Sequence, residues 1–223
     1  MFHSRLQMIL SMFVFIAPFI FMFSKTIPAH AFSEDKNWPC IQRKVGKLTA
    51  GQMWRGDPVD VKDKSWQSNK DVLELVAKIL PRRVSLQETD KLIAAFAKRN
   101  KGSAAPLMRQ TFLALLSETN KIRTEIIGGI GRFSTRQQKL AKLITTTRQQ
   151  VTELEKKDQD GTLTKEDDKK LVSLEQSLEW EQRIHEEREQ SLEFVCEAPV
   201  ILEQRLFALS KQLLKHSGQK TTQ

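Results

Sequence analysis

The sequence predicts an all-α protein: a helical bundle with a long antiparallel helical hairpin and an irregular N-terminal arm. Three observations carry this. From Ser68 onward, apolar residues recur at three- and four-residue spacing, the period of a helix with one buried face. The segments open on residues that cap helices and close on Pro or Gly. No segment combines strand-period alternation with hairpin signals at its ends, so nothing argues for a sheet.

The first residues are set apart from that fold. Arg5 precedes an unbroken apolar run from Met8 to Phe23, and Ala29-His30-Ala31 follows with small residues at both outer positions. A basic start, an apolar middle and a small-x-small end make residues 1–31 a secretory signal peptide, cleaved after Ala31, with Ala29 and Ala31 as the recognised small residues. The apolar run contains Pro18 and falls short of the roughly 20 residues that span a bilayer. No stable transmembrane anchor is therefore expected after cleavage. The protein is expected to be exported, to the periplasm or the cell envelope.

Residues 32–67 carry Trp38, Trp54 and Trp66, separated by Pro39, Gly46, Gly51, Gly56 and Pro58. With no long helical period, they read as an arm whose indoles fill grooves on a helical body. The all-α domain follows over 68–217. Ser68 with Asp71, and Ser85 with Glu88, have capping-box spacing and open helices over 69–80 and 86–99. Pro81 stops the first, and Lys101-Gly102-Ser103 the second. Pro106 suits the first turn of a third helix, running to about Ile127. Gly128-Gly129-Ile130-Gly131 is expected to interrupt it, and Ser134 with Gln137 to cap a new start.

The fourth helix, apolar at Leu140, Leu143, Ile144, Val151 and Leu154, runs to about Lys157. It forms the hairpin of 135–194 with a helix carrying Leu171, Leu174, Leu178, Ile184 and Leu192. Pro199 should break or kink the chain near Cys196, since it lacks an N–H and crowds the carbonyl of Val195. A final helix is expected over 199–215, and a polar tail over 218–223.

The formal net charge is +9, but its distribution matters more. Residues 71–152 hold 15 basic and 6 acidic side chains, and 153–197 hold 7 basic and 15 acidic. The two blocks are neighbours in sequence and can face each other across the hairpin, and no nucleic-acid partner is expected. Cys40 and Cys196 are the two cysteines. In an exported chain, without C-x-x-C spacing, they are expected to form a disulfide.

The stretch KKDQDGTLTKED (156–167) resembles an EF-hand calcium loop. With Gly161 at the sixth position, Asp158, Asp160 and Asp167 fall at the third, fifth and twelfth ligand positions. The pattern departs at the first ligand, where Lys156 puts a cation, and at the last, where Asp167 replaces Glu. The same residues serve a turn: Gly161 reverses the chain, and Thr164 with Asp167 caps the next helix. The turn is the preferred reading, and no bound metal is expected.

Gly128, Gly129 and Gly131, with Arg132 and Arg136 and flanked also by Arg123 and Lys139, offer a second candidate. Free amides at a helix start beside arginines could hold an anion. Glycines there also permit a turn or close packing, which is preferred. Gly129-x-Gly131 starts a dinucleotide fingerprint, but Ser134 stands at the third glycine position and no strand precedes it; a P-loop is excluded by its missing Lys-Ser/Thr. His185 and His216, the two histidines beyond residue 31, define no zinc set or triad. No catalytic residue and no cofactor is assigned.

The expected function is that of an exported, non-catalytic interaction or scaffold protein with a protein or envelope partner. The alternatives are a binding protein for an anionic small molecule or headgroup at Gly128–Arg136, and an enzyme whose site the sequence does not declare.

Overall fold

A computed structural model describes residues 37–218, so the expected signal peptide and the cleavage position at Ala29 and Ala31 lie outside the described residues. The described residues form helices and no strand: α1 (Ala50–Met53), α2 (Lys70–Ile79), α3 (Leu86–Arg99), α4 (Ala104–Gln159) and α5 (Lys165–Ser217), with short 3-10 turns at Ser65–Ser68 and Lys101–Ser103. The predicted class and the pairing of two long helices are both present.

At 1.5 Å per residue, α4 and α5 run roughly 84 and 80 Å, against about 15 and 21 Å for α2 and α3. The short helices therefore cover only one end of the long pair. There, α2 packs on α4 and α3 on α5. Val72, Ile79, Ile93 and Phe96 meet Met108, Phe112 and Leu115 of α4 and Leu206, Leu209 and Leu213 of α5 in one core. This end is the head. Beyond it, between 135 and 195, the buried residues are Thr147, Val151 and Leu154. Their spacing of four and three is the seam of a two-helix stalk.

The arm belongs to the head. Leu48, Met53, Trp54 and Trp66 join its core, and the Trp54 ring lies 4.7 Å from Phe112. The Trp54 indole N–H donates to the Asp57 carbonyl (2.8 Å), so burying it leaves no donor unpaired. Trp38 differs: it is only half-buried. The Asn120 amide brackets Leu48, accepting from its N–H (2.8 Å) and donating to its carbonyl (2.9 Å). Arg205 donates to the carbonyls of Ile79 and Leu80 (2.8 and 3.1 Å), satisfying acceptors that the end of α2 before Pro81 leaves free.

Three expected boundaries are corrected. The cap of α2 is Asn69, whose side chain accepts from the Val72 N–H; Ser68 ends the 3-10 turn before it. Gly128–Gly131 do not interrupt the chain, because α4 is continuous through them. A helical glycine costs about 1 kcal/mol against alanine, and burial of Ile127 and Ile130 on either side offsets that locally. Pro199 does not end a helix either; it lies buried inside α5. Packing of Cys196, Leu202 and Leu206 around it holds the turn that lacks one N–H.

Candidate functional site: the stalk and its neck

The stalk turn is built from the residues that suggested calcium. Gly161, at φ 66°, takes the left-handed position that reverses α4 at little steric cost. The Thr162 N–H donates to the Lys157 carbonyl (2.9 Å) and the Gly161 N–H to that of Asp158 (3.0 Å), the bond pair of a Schellman ending. Thr164 then opens α5 with a complete capping box: its hydroxyl accepts from the Asp167 N–H (3.1 Å), and Asp167 accepts from the Thr164 N–H (3.4 Å) and hydroxyl (2.9 Å). These bonds, with Lys157 at 3.6 Å, hold the Asp167 carboxyl below its usual range, the Thr164 hydroxyl contributing most. Asp167 is thus engaged in the cap, and Asp158, Asp160 and Asp167 are not gathered around a common point. Among the described residues, no three His, Cys, Asp or Glu side chains are grouped as a metal site.

The glycine cluster lies where α4 leaves the head. Its amides sit within a continuous helix, so the free N–H groups expected of a helix start are absent. That removes the geometric basis for the anion candidate. Arg132 and Arg136 are exposed. A Cβ on Gly128 would stand 3.3 Å from Arg132 Nη1, and one on Gly131 would stand 3.9 Å from the Asn37 carbonyl oxygen. A methyl at Gly131 would make an ordinary contact and one at Gly128 would meet only the flexible end of Arg132, so neither position requires glycine for packing.

Cys40 and Cys196 form the expected disulfide, with Cα atoms 5.6 Å apart. It joins the arm to α5 at the neck, where head gives way to stalk. Arg123 sits at the same level, 2 % exposed. It donates to the carbonyls of Pro199 and Val45 (the latter 2.9 Å) and lies 3.7 Å from Glu203, joining α4, α5 and the arm. Burial draws its guanidinium below the ordinary value, opposed by Glu203. Sequence reasoning placed Arg123 only as a flank of the glycines. Its phase could have suggested more, for it lies seven residues, two helical turns, before buried Ile130.

The stalk interior is polar midway along. The Thr147 hydroxyl donates to Glu181 (3.2 Å) and Gln137 Nε2 to the His185 carbonyl (3.3 Å); Gln137 Oε1 is buried with no partner among the described residues. The outside carries what sequence reasoning missed. Trp180 is 61 % exposed and Val172 48 %, eight residues apart on α5. Leu143, expected in the seam, is 49 % exposed on α4. The seam of α5 runs through Leu171, Leu174 and Leu178, so Trp180 is out of phase with it, a signal that helical periodicity alone carries. These exposed apolar side chains stand among charged ones, including the His185–Glu189 pair on α5, with Nδ1 3.8 Å from the carboxylate.

No protein-family model, curated protein or solved structure matches this chain.

Proposed function

We propose that this protein is an exported, non-catalytic interaction module of the periplasm or cell envelope, whose stalk presents a binding face to a protein partner. The observation that carries this reading is Trp180, a large aromatic left 61 % exposed on a stalk dense with charge. Tryptophan is among the residues most often dominant in protein interfaces, where truncation costs about 2 kcal/mol or more. Val172 on the same helix and Leu143 on α4 are exposed apolar side chains as well. The disulfide suits an oxidising compartment, and no helix among the described residues is long and apolar enough to cross a membrane.

Photo-crosslinking in the native envelope tests it. A benzophenone side chain at Gln176, one turn from Trp180, should give a discrete protein adduct, and the same group at exposed Gln149 should not. The purified adduct partner should bind the Trp180→Ala variant about 30-fold more weakly, with unchanged helicity. Equal labelling at both positions, no labelling, or undiminished binding by Trp180→Ala would remove the proposal.

A further inference from the structure

The head carries a second feature, remote from the stalk turn. Between the arm and α4 runs a groove of about 820 Å³, within the range of small-molecule sites. Its floor is apolar: Leu48, Trp66, Leu113 and Leu116, exposed by only 3–7 %. Its rim is basic, formed by Lys47, Lys64 and Lys121. No carboxylate lies within 4.0 Å of any of these three ammonium groups among the described residues. Glu125 is the one acidic residue of the lining, and Asp63 adjoins Lys64 in sequence. The wall is fixed in place, because the Asn120 amide holds Leu48 by both its N–H and its carbonyl.

We infer that this groove binds a long-chain carboxylate. The aliphatic tail lies along the leucines and the Trp66 indole, and the anionic head meets the lysine rim. Each half has its own physical reason. The apolar surface the groove still shows to water, chiefly Val61 at 55 % exposure above the nearly buried leucines and indole, is removed from it by any apolar chain laid along the groove. The three ammonium groups are spread along the rim, none with a carboxylate within 4.0 Å among the described residues, so an anionic head finds a cation where it emerges, and a compact point charge imposes no planar geometry on it. An alcohol of the same chain length satisfies the floor but not the rim, and an alkylammonium is repelled by the rim.

Titration of the mature protein with palmitate below its aggregation threshold, followed by tryptophan fluorescence and calorimetry, tests the inference. Saturable binding near one equivalent is expected, with hexadecanol weaker and cetyltrimethylammonium weaker still. The triple variant Lys47→Ala/Lys64→Ala/Lys121→Ala should lose about tenfold for palmitate, equivalent to about 1.4 kcal/mol, and nothing for hexadecanol. Val61→Glu adds a negative charge at an exposed lip position and should weaken palmitate without affecting folding. Trp180→Ala should leave palmitate binding unchanged, which keeps this result separate from that of the stalk. Absence of saturable binding, indifference to the lysine variants, or loss in Trp180→Ala would overturn it. So would an acidic amphipathic peptide that binds through the three lysines and is not displaced by palmitate.

Discussion

Removing the Cys40–Cys196 disulfide should destabilise the protein mainly by freeing its unfolded chain. The bond joins residues 156 apart in sequence. In the chain-entropy treatment, closing a loop of that length removes about 17 cal/mol/K from the unfolded ensemble, or about 5 kcal/mol at 25 °C. The arm has other anchors, since Leu48, Met53, Trp54 and Trp66 are buried in the head core. It should therefore remain docked without the bond. Urea unfolding of wild type and of Cys40→Ser/Cys196→Ser, followed by far-UV circular dichroism, measures the difference. The variant should lose about 3–5 kcal/mol and show a larger denaturant slope, because an uncrosslinked chain exposes more surface on unfolding. Its Tm should fall by about 6–20 °C at the ~2–4 °C per kcal/mol expected for this size. A loss under about 1 kcal/mol with an unchanged slope would refute the reasoning. Loss of the near-UV tryptophan signal in the native variant would refute it differently, by showing that the bond holds the arm down.

Four shorter predictions test other parts of the structure. The triple change Gly128→Ala/Gly129→Ala/Gly131→Ala should raise stability, by up to about 1 kcal/mol per site, because α4 is helical there and the flexible Arg132 end can yield; a drop in Tm would restore the turn reading. Gly161→Ala should cost about 1–2 kcal/mol in urea unfolding, since its backbone is left-handed at φ 66° with nothing within 4 Å of the added Cβ; no loss would refute the Schellman ending. Arg123→Met should cost about 1–3 kcal/mol by leaving the Val45 carbonyl without its donor, less what relief from burying a charge returns; a stabilised variant would mean desolvation dominates. Hydrogen bonds from His216, then Lys215, hold the Asp90 carboxyl below its ordinary range, so its stabilisation is present above about pH 3.9, the unfolded value, and disappears as pH falls through the folded one. The Tm gap between wild type and Asp90→Asn should therefore close in acid, and a gap constant from pH 7 to pH 2.5 would exclude the coupling.

Local patterns were legible where neighbouring residues settle the outcome among themselves. Leu86–Arg99 was bounded correctly because Ser85 caps it and its apolar residues share one phase. The stalk turn was legible because Gly161, Thr164 and Asp167 bond to each other and to residues within a turn of them. Where a distant contact decides, the local rule misled. Gly128–Gly131 and Pro199 look like breaks, yet both lie inside helices because the partner helix and the arm bury the residues beside them. Leu143 looked like a seam residue, but its phase belongs to the outer face of a pairing that needs only one narrow stripe.

The candidate surfaces divide the same way. Trp180 stands out from the sequence once the seam is drawn through Leu171, Leu174 and Leu178. The lysine-rimmed groove does not, because Lys47, Lys64 and Lys121 are scattered along the chain and line one groove only when the arm lies on α4. By itself the sequence determined the helical class, the reversal at 160–164 and the pairing of its two cysteines, since composition, capping and cysteine number do not depend on long-range placement. Tertiary structure alone decided that four expected helical segments merge into α4 and α5, that Arg123 is buried at the neck, and that the arm and α4 form a groove. Those outcomes rest on burial between segments far apart in sequence, where a few kcal/mol of packing outweigh the local cost of a glycine or a proline.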